Sequence, residues 1–124
     1  MFQNTRAFSG FSVDDVGAAR QFYADLLGLS VTEENGMLTL HLANGSNVLV
    51  YPKGDAHEPA TFTILNFPVA DIDVAVAELT TLGIELEHFP GVDDNGIFRK
   101  GGPYIAWFKD PAGNILSVLE SELD

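Results

Sequence analysis

The stretch Phe11–Val31, FSVDDVGAARQFYADLLGLSV, has a second copy at Phe67–Leu86, FPVADIDVAVAELTTLGIEL. Up to Leu26 the matching residues lie 56 positions apart, so that Leu26 matches Leu82, and one residue then drops out. Each copy contains the end of a strand, an Asp before a helix, a Gly at the helix end and a new strand. An internal repeat of this kind indicates one fold built from two similar modules.

The helix of each copy is predicted from apolar residues at the spacing of one helical face. In the first module Asp14 or Asp15 can accept hydrogen bonds from the first turn, and Gly28 supplies the residue that ends the helix. In the second module Asp71 has the capping role. The apolar faces are predicted to consist of Val16, Ala19, Phe22, Tyr23, Leu26 and Leu27 in the first helix, and of Ile72, Ala75, Val76, Leu79 and Leu82 in the second.

The remaining segments are predicted to be strands, which gives each module the order β-α-β-β-β. Asn35-Gly36 and Asn44-Gly45 each stand between apolar stretches, and this dipeptide favours a tight hairpin turn. The expected strands cover residues 6–13, 29–33, 37–42 and 47–51, then 61–67, 84–88, 104–108 and 115–119. Pro90–Pro103 is predicted to be a loop or an extended hairpin tip, either functional or a simple insertion.

The chain is predicted to be a single α+β domain over residues 1–124, with module one at about 5–52 and module two at about 60–120. Cysteine is absent, which excludes disulfides, thiolate metal sites and cysteine nucleophiles. No apolar stretch has the length of a membrane span or a signal-peptide core, so a cytoplasmic location is expected. The net charge of −12 disfavours nucleic acid and anionic membranes as partners.

Several features together resemble the vicinal oxygen chelate superfamily, which includes glyoxalase I, extradiol dioxygenases, and bleomycin and fosfomycin resistance proteins. They are the two modules, Phe22-Tyr23 and Leu27-Gly28-Leu29 around the first helix end, and the DPAGN turn of Asp110–Asn114 before an apolar strand. The resemblance extends over residues 5–120. It implies that each module curls into a half-barrel, that the concave faces line a cleft, and that pairing across a homodimer is common.

The resemblance also implies four positions that hold a divalent metal in the metal-using members. These positions correspond to Phe8, Leu49, Ile64 and Ser117. The first three side chains cannot bind a metal, and a single hydroxyl is a poor ligand. A two-residue shift could recruit Glu120 or His41 but would not repair all four positions. No metal or other cofactor is therefore predicted.

The concave side is predicted from strand alternation, because residues two apart in a strand share a face. Aromatic and aliphatic walls with few polar groups are typical of a small-molecule site, although such side chains could also simply fill the concavity. The predicted ligand-binding residues are Phe8, Gly10, His41, Leu49, Tyr51, Phe62, Ile64, Asn66, Ser117 and Leu119, with Arg6 and Ile115 on the same side. The helix-facing side is predicted to hold Ala7, Phe11, Val48, Val50, Leu65, Phe67, Leu116 and Val118.

Some individual residues allow two interpretations, and no catalytic residue is assigned. His41 could be a general base or an ordinary strand histidine, whereas His57 and His88 are expected to be solvated. Trp107 is expected in the core or a dimer interface rather than at a ligand. The pair Arg99-Lys100 could attract an anion or be a solvated loop pair.

Three functions are compatible with these features. The first is a metal-independent protein that binds an apolar or aromatic ligand in a cleft between the modules, and the acidity suits a cationic ligand. The alternative is a glyoxalase-like lyase or isomerase, or a dioxygenase-related enzyme, with non-standard metal ligands. The third is an interaction module whose pocket is filled by side chains. A homodimer is predicted, because exposed sheet edges and large apolar faces are rarely left bare.

Overall fold

The computed structural model describes residues 1–121 and divides the chain into two compact units, Met1–Pro59 and a second unit that begins at Ala60. Each unit contains one four-stranded mixed sheet and one principal helical segment. The predicted α+β class is therefore confirmed.

The sheet of the first unit has the strand order β1-β4-β3-β2, with β1 parallel to β4 and the other neighbours antiparallel. A helical segment connects β1 to β2, and a short 3-10 turn follows β4. The elements are β1 Ser9–Val13, α1 Val16–Arg20, a π-helical continuation Gln21–Leu26, β2 Ser30–Glu34, β3 Met37–His41, β4 Asn47–Pro52 and the 3-10 turn Gly54–Ala56.

The helical segment begins as predicted and ends at Gly28, whose φ of 75° confirms its predicted role, but its second half has a different geometry. The Asp15 side chain accepts a hydrogen bond from the Ala18 amide at 3.1 Å, so Asp15 is the N-cap. Beyond Arg20 the helix widens into π geometry, in which the Leu27 amide donates to the Phe22 carbonyl. The prediction of a uniform α-helix is wrong there. The wider turn lets the adjacent residues Phe22 and Tyr23 both enter the core, where their ring centroids are 5.1 Å apart.

The two Asn-Gly turns of the first unit are confirmed. Glu34 pairs with Met37, and Asn35 and Gly36 between them have φ values of 55° and 76°. Two residues at positive φ define the tight turn that matches the twist of a hairpin. Gly45, at φ 85°, lies in the longer turn between β3 and β4.

The sheet of the second unit has the order β5-β8-β7-β6, with β5 parallel to β8. Its helix is capped by Asp71, whose Oδ1 accepts from the amides of Asp73 and Val74 at 3.0 and 3.1 Å. The elements are β5 Thr63–Val69, α2 Ile72–Thr81, β6 Ile97–Phe98, β7 Ile105–Lys109 and β8 Ile115–Glu120.

The predicted strand at residues 84–88 is wrong. Among residues 1–121, its backbone is joined to the sheet by one bridge, between Leu86 and Phe108, and by a hydrogen bond from the Glu87 amide to the Trp107 carbonyl. The segment was expected to pair along β7, but part of β7 pairs instead with β6, a two-residue strand inside the long loop. The segment Pro90–Pro103 is thus an extended hairpin tip, one of the two forms predicted for it.

In each unit one sheet face packs on the helix and forms the core. Of the predicted helix-facing residues, Leu65 and Phe67 are half-buried and Ala7 is exposed ahead of β1. The other five are buried: Phe11, Val48, Val50, Leu116 and Val118. None of the helices within residues 1–121 has the length and apolar character needed to cross a membrane.

Candidate functional site

The sheet face opposite the helix, called the far face below, carries most of the predicted site residues in each unit. In the first unit, the pairing of β1 with β4 places Gly10 beside Leu49 and Ser12 beside Tyr51. A Cβ atom at Gly10 would lie 3.7 Å from Cε1 of Tyr51, so the tyrosine ring lies over this glycine. Phe8 precedes β1, and 67% of its surface is exposed.

His41 also lies on the far face of the first unit, in a row of polar side chains. Its Nε2 is 2.9 Å from Oγ1 of Thr32, and its Nδ1 is 3.2 Å from Oδ1 of Asn47. Both ring nitrogens are therefore engaged by neighbouring strands. This arrangement favours the interpretation of His41 as a structural strand histidine over a general base.

His57 differs from its prediction. Its side chain is half-buried, and Nδ1 lies 2.7 Å from the Oγ atom of Ser12. The expectation of a solvated linker histidine is therefore wrong, because the 3-10 turn at Gly54–Ala56 brings the linker back to β1. His88 is exposed, as predicted.

In the second unit the far face has Ser117 at its centre. Ser117 on β8 lies between Asn66 on β5 and Trp107 on β7. Its hydroxyl is fully buried and donates to Oδ1 of Asn66 at 2.6 Å. Asn66 itself is exposed, and its amide nitrogen has no hydrogen-bond partner among residues 1–121. Leu119 is half-buried farther along β8.

A bulge in β5 interrupts the alternation from which Phe62 and Ile64 were placed. Thr63 pairs with Ile115 and Leu65 with Leu116, so Ile64 is an extra residue in this strand. Counting in twos from Asn66 therefore does not assign a face to Phe62 or Ile64. Phe62 nevertheless lines a pocket on the far face, and Ile64 is half-buried.

This pocket has a volume of about 270 Å³ and is walled mainly by aromatic rings. The centroid of the Trp107 ring is 5.6 Å from that of Phe89 and 6.1 Å from that of Phe98, with interplanar angles of 60° and 64°. Such tilted contacts are favourable for aromatic pairs. The lining residues are Thr61, Phe62, Thr63, Phe89, Trp107 and Ile115.

Trp107 was not predicted as a site residue, although the sequence around it carries a local signal. The turn between β7 and β8 is fixed by Asp110, whose Oδ1 accepts from the amides of Ala112 and Asn114. This turn pairs Lys109 with Ile115, and counting back two residues places Trp107 beside Ser117. The position of Phe89 in the pocket lining could not be predicted from the sequence, because Phe89 lies in an irregular segment.

Two basic residues of the second unit, Lys109 and Arg99, form ion pairs. Lys109 Nζ lies 3.4 Å from Glu87 Oε1. The Arg99 guanidinium contacts Asp73 at 2.7 Å and Asp93 at 3.0 Å. The amide of Ile97 donates to Asp93, and together with Arg99 it lowers the pKa of that carboxyl. Arg99 is thus an exposed loop residue whose charge is paired, which favours the solvated-pair interpretation over an unpaired cation that would attract an anion.

The residues at the four family metal positions do not fit a divalent ion. The hydroxyl of Ser117 is already committed to Asn66, and Phe8, Leu49 and Ile64 offer no donor atom. Glu120 cannot substitute, because its Oε2 accepts from the Ile72 amide at the start of α2. Within residues 1–121 no group of three or more His, Cys, Asp or Glu side chains could hold a metal ion.

Each unit has a four-stranded mixed sheet with a helical segment between its first two strands, and the family profile agrees with this architecture. The profile described as Glyoxalase/Bleomycin resistance protein/Dioxygenase superfamily matches residues 7–118. The chain belongs to this superfamily, as the sequence resemblance predicted.

Solved structures similar to this chain have several different descriptions. A glyoxalase family protein from Enterococcus faecalis has 26% identity and a TM-score of 0.67, over 97% of this chain and 100% of the other. A lactoylglutathione lyase from Agrobacterium tumefaciens has 23% identity and a TM-score of 0.66, over 96% of both chains. TnmS3, an antibiotic binding protein from Streptomyces sp. CB03234, has 18% identity and a TM-score of 0.69, over 97% and 99%. No match was found among curated proteins.

Proposed function

We propose that this protein binds a small aromatic ligand at the far face of the second unit, without a metal. The observation that supports this proposal best is the pocket of about 270 Å³ with Trp107 as its central wall. Its size is near the lower limit of typical ligand pockets, roughly 300 Å³, and suits two or three fused rings.

The chemistry of the pocket favours a flat apolar ligand with one polar group. Trp107, Phe89 and Phe62 present ring surface, and the polar lining residues are Thr61 and Thr63. The net charge of −12 favours the approach of a cation over that of an anion. The description of one similar structure as an antibiotic binding protein is consistent with such a role.

A glyoxalase-like lyase or isomerase is less well supported. The family positions that would hold the metal carry Phe8, Leu49, Ile64 and Ser117, which do not form a donor set. The binding proposal needs no such set.

The proposal is tested with three bicyclic aromatic probes that differ in charge: N-methylquinolinium, 2-naphthol and naphthalene-2-sulfonate. Binding is measured by calorimetry and by thermal shift. We expect the cation to bind tightest and the sulfonate weakest. Absence of binding and of thermal stabilisation with all three probes would overturn the proposal.

The pocket is identified by comparing two aromatic substitutions. Trp107→Leu is expected to weaken N-methylquinolinium binding by about three- to tenfold, because an aromatic pair contributes about 0.5–1.5 kcal/mol beyond burial. The control Phe2→Leu removes an exposed ring outside the pocket and should leave the affinity unchanged. Equal effects of the two substitutions would place the ligand elsewhere.

We also propose that the chain acts as a homodimer in the cytoplasm. The support for assembly is that each unit exposes a large aromatic side chain, Phe8 in the first and Phe62 in the second, with 67% and 68% of their surface accessible. Exposed aromatic side chains of this size commonly mark interaction surfaces.

A further inference from the structure

The hairpin tip that contains β6 is attached to its sheet by very few backbone contacts. β6 pairs with β7 only through Ile97–Ala106 and Phe98–Ile105. Farther along, Gly101 and Gly102 both have positive φ values, 67° and 58°. A segment with so little backbone pairing depends on side-chain contacts for its position.

Arg99 provides those contacts at the back of the tip. Its Nη2 lies 2.7 Å from Oδ1 of Asp73 in the first turn of α2, and its Nε lies 3.0 Å from Oδ2 of Asp93 within the tip. Its guanidinium carbon also lies 4.9 Å from the centroid of the Tyr104 ring. One side chain thus connects the tip to the helix and to the start of β7.

Phe98 is the chain neighbour of Arg99 and the last residue of β6. Because successive strand residues alternate, Phe98 points away from the side on which Ile97 is buried. Its ring reaches the far face and contacts Trp107 at a centroid distance of 6.1 Å. On its other side the ring is held tightly, since a Cβ at Gly91 would lie only 2.8 Å from Phe98 Cε2. Phe98 therefore links the backbone next to Arg99 to Trp107 in the aromatic wall of the pocket.

We propose that Arg99 is a positioning residue that holds Phe98 against Trp107 by anchoring the hairpin tip to α2. The positioning role concerns the aromatic pocket, and its effect on ligand binding rests on the proposed function. Arg99 itself touches no ligand in this scheme. It acts through Phe98.

The ion pairs of Arg99 are exposed to solvent, so their loss should affect local geometry more than global stability. Single exposed ion pairs contribute little to global stability, whereas a fork shared between two carboxylates fixes local geometry. Removal of Arg99 should therefore leave the melting temperature nearly unchanged while the environment of Trp107 changes.

The test uses the intrinsic fluorescence of Trp107, because this is the single tryptophan of the chain. Arg99→Ala is compared with the matched control Arg20→Ala, which removes a similar exposed pair with Glu33 at 2.8 Å in the other unit. We expect Arg99→Ala alone to shift the emission to longer wavelength and to increase quenching by acrylamide. Arg99→Lys, which keeps the charge but cannot form the fork, should restore the spectrum only in part.

Two further arms separate this proposal from the proposed function. The double variant Asp73→Asn with Asp93→Asn should reproduce the spectrum of Arg99→Ala. N-methylquinolinium affinity should fall by about two- to fivefold in Arg99→Ala. If wild type binds no probe but the spectra change as expected, the binding function fails and the positioning role stands. An unchanged Trp107 spectrum in Arg99→Ala overturns the positioning role.

Discussion

Two buried polar residues, Asp110 and Asn114, show how single side chains can fix the register of the site. Asp110 accepts from backbone amides of its own turn, and Nδ2 of Asn114 donates to Asp110 Oδ2 at 3.1 Å. Oδ1 of Asn114 also accepts from the Ala60 amide at 3.0 Å. The turn thereby sets which residue of β7 lies beside Ser117.

Asn114→Ala is expected to destabilise the protein by about 1–3 kcal/mol, because it removes partners from buried polar groups. The control Asn4→Ala, at an exposed position, should change the free energy of unfolding by no more than about 0.5 kcal/mol. Urea unfolding followed by circular dichroism measures both values. Similar values for the two variants would contradict the structural role of Asn114.

Asp93 makes the stability of the hairpin tip depend on pH. Its carboxylate accepts from the amide of Ile97 and from Arg99, and these bonds lower its pKa below the usual 3.8. A lowered pKa in the folded state adds stability that is present above pH 3.8 and is lost as the pH falls through the folded value.

We therefore expect wild type to be more stable than Asp93→Asn near neutral pH, with the difference shrinking below pH 4. The asparagine retains one oxygen that accepts from the backbone amides, but it loses both the charge and the oxygen that accepts from Arg99. Urea midpoints at pH 6 and pH 3 measure the difference, and the neighbouring Asp94→Asn is the control. A difference that is constant between the two pH values would rule out this role for the Asp93 carboxylate.

Among the elements, those with local signals were predicted and those fixed by distant contacts were not. Asp71 and the turn at Asn35-Gly36 act on their immediate neighbours, and the structure confirms both. The strand β6 was not predicted, because its two residues form a strand only when β7 is beside them. The π-helical turn likewise depends on the burial of Tyr23 against Phe11, at 5.7 Å between ring centroids.

Two glycines of the hairpin tip provide a matched test of its packing. Gly91 and Gly101 both have positive φ, 96° and 67°, so alanine is strained at either position. A Cβ at Gly91 would collide with the Phe98 ring, whereas one at Gly101 would meet nothing within 4 Å. Gly91→Ala should therefore displace Phe98, and Gly101→Ala should not.

The measurement is again the emission of Trp107, together with thermal unfolding. We expect both variants to lose about 1 kcal/mol of stability from backbone strain. Only Gly91→Ala should shift the tryptophan spectrum. If the two spectra shift equally, the contact between Gly91 and Phe98 does not position the aromatic wall.

For the whole molecule, the repeat predicted the fold class and the family, but only part of the candidate site. The pairing of Asn66 with Ser117 follows from strand alternation, and both were predicted as site residues. The bulge at Ile64 and the contact of His57 with Ser12, 45 residues away, have no local signature. The part of Phe89 in the aromatic cluster has no local signature either, since Phe89 lies outside the strands, whereas Trp107 could have been placed from the turn at Asp110.

The predicted homodimer would bury apolar side chains that a single chain exposes, and Phe8 is one of them. Burying a phenylalanine side chain contributes about 1.5–3 kcal/mol, and a two-fold interface buries each residue twice. If Phe8 lies in such an interface, Phe8→Ser should weaken the dimer by at least about a hundredfold. Val74→Ser, which removes an exposed apolar side chain from α2, is the control.

Sedimentation equilibrium over a range of micromolar concentrations measures the mass directly. Wild type and Val74→Ser are expected at twice the chain mass of 13.4 kDa, and Phe8→Ser is expected to dissociate toward the single chain mass on dilution. Because Phe8 lies outside the pocket around Trp107, its substitution can change the assembly without removing a pocket wall. Wild type that sediments at 13.4 kDa throughout would disprove the homodimer.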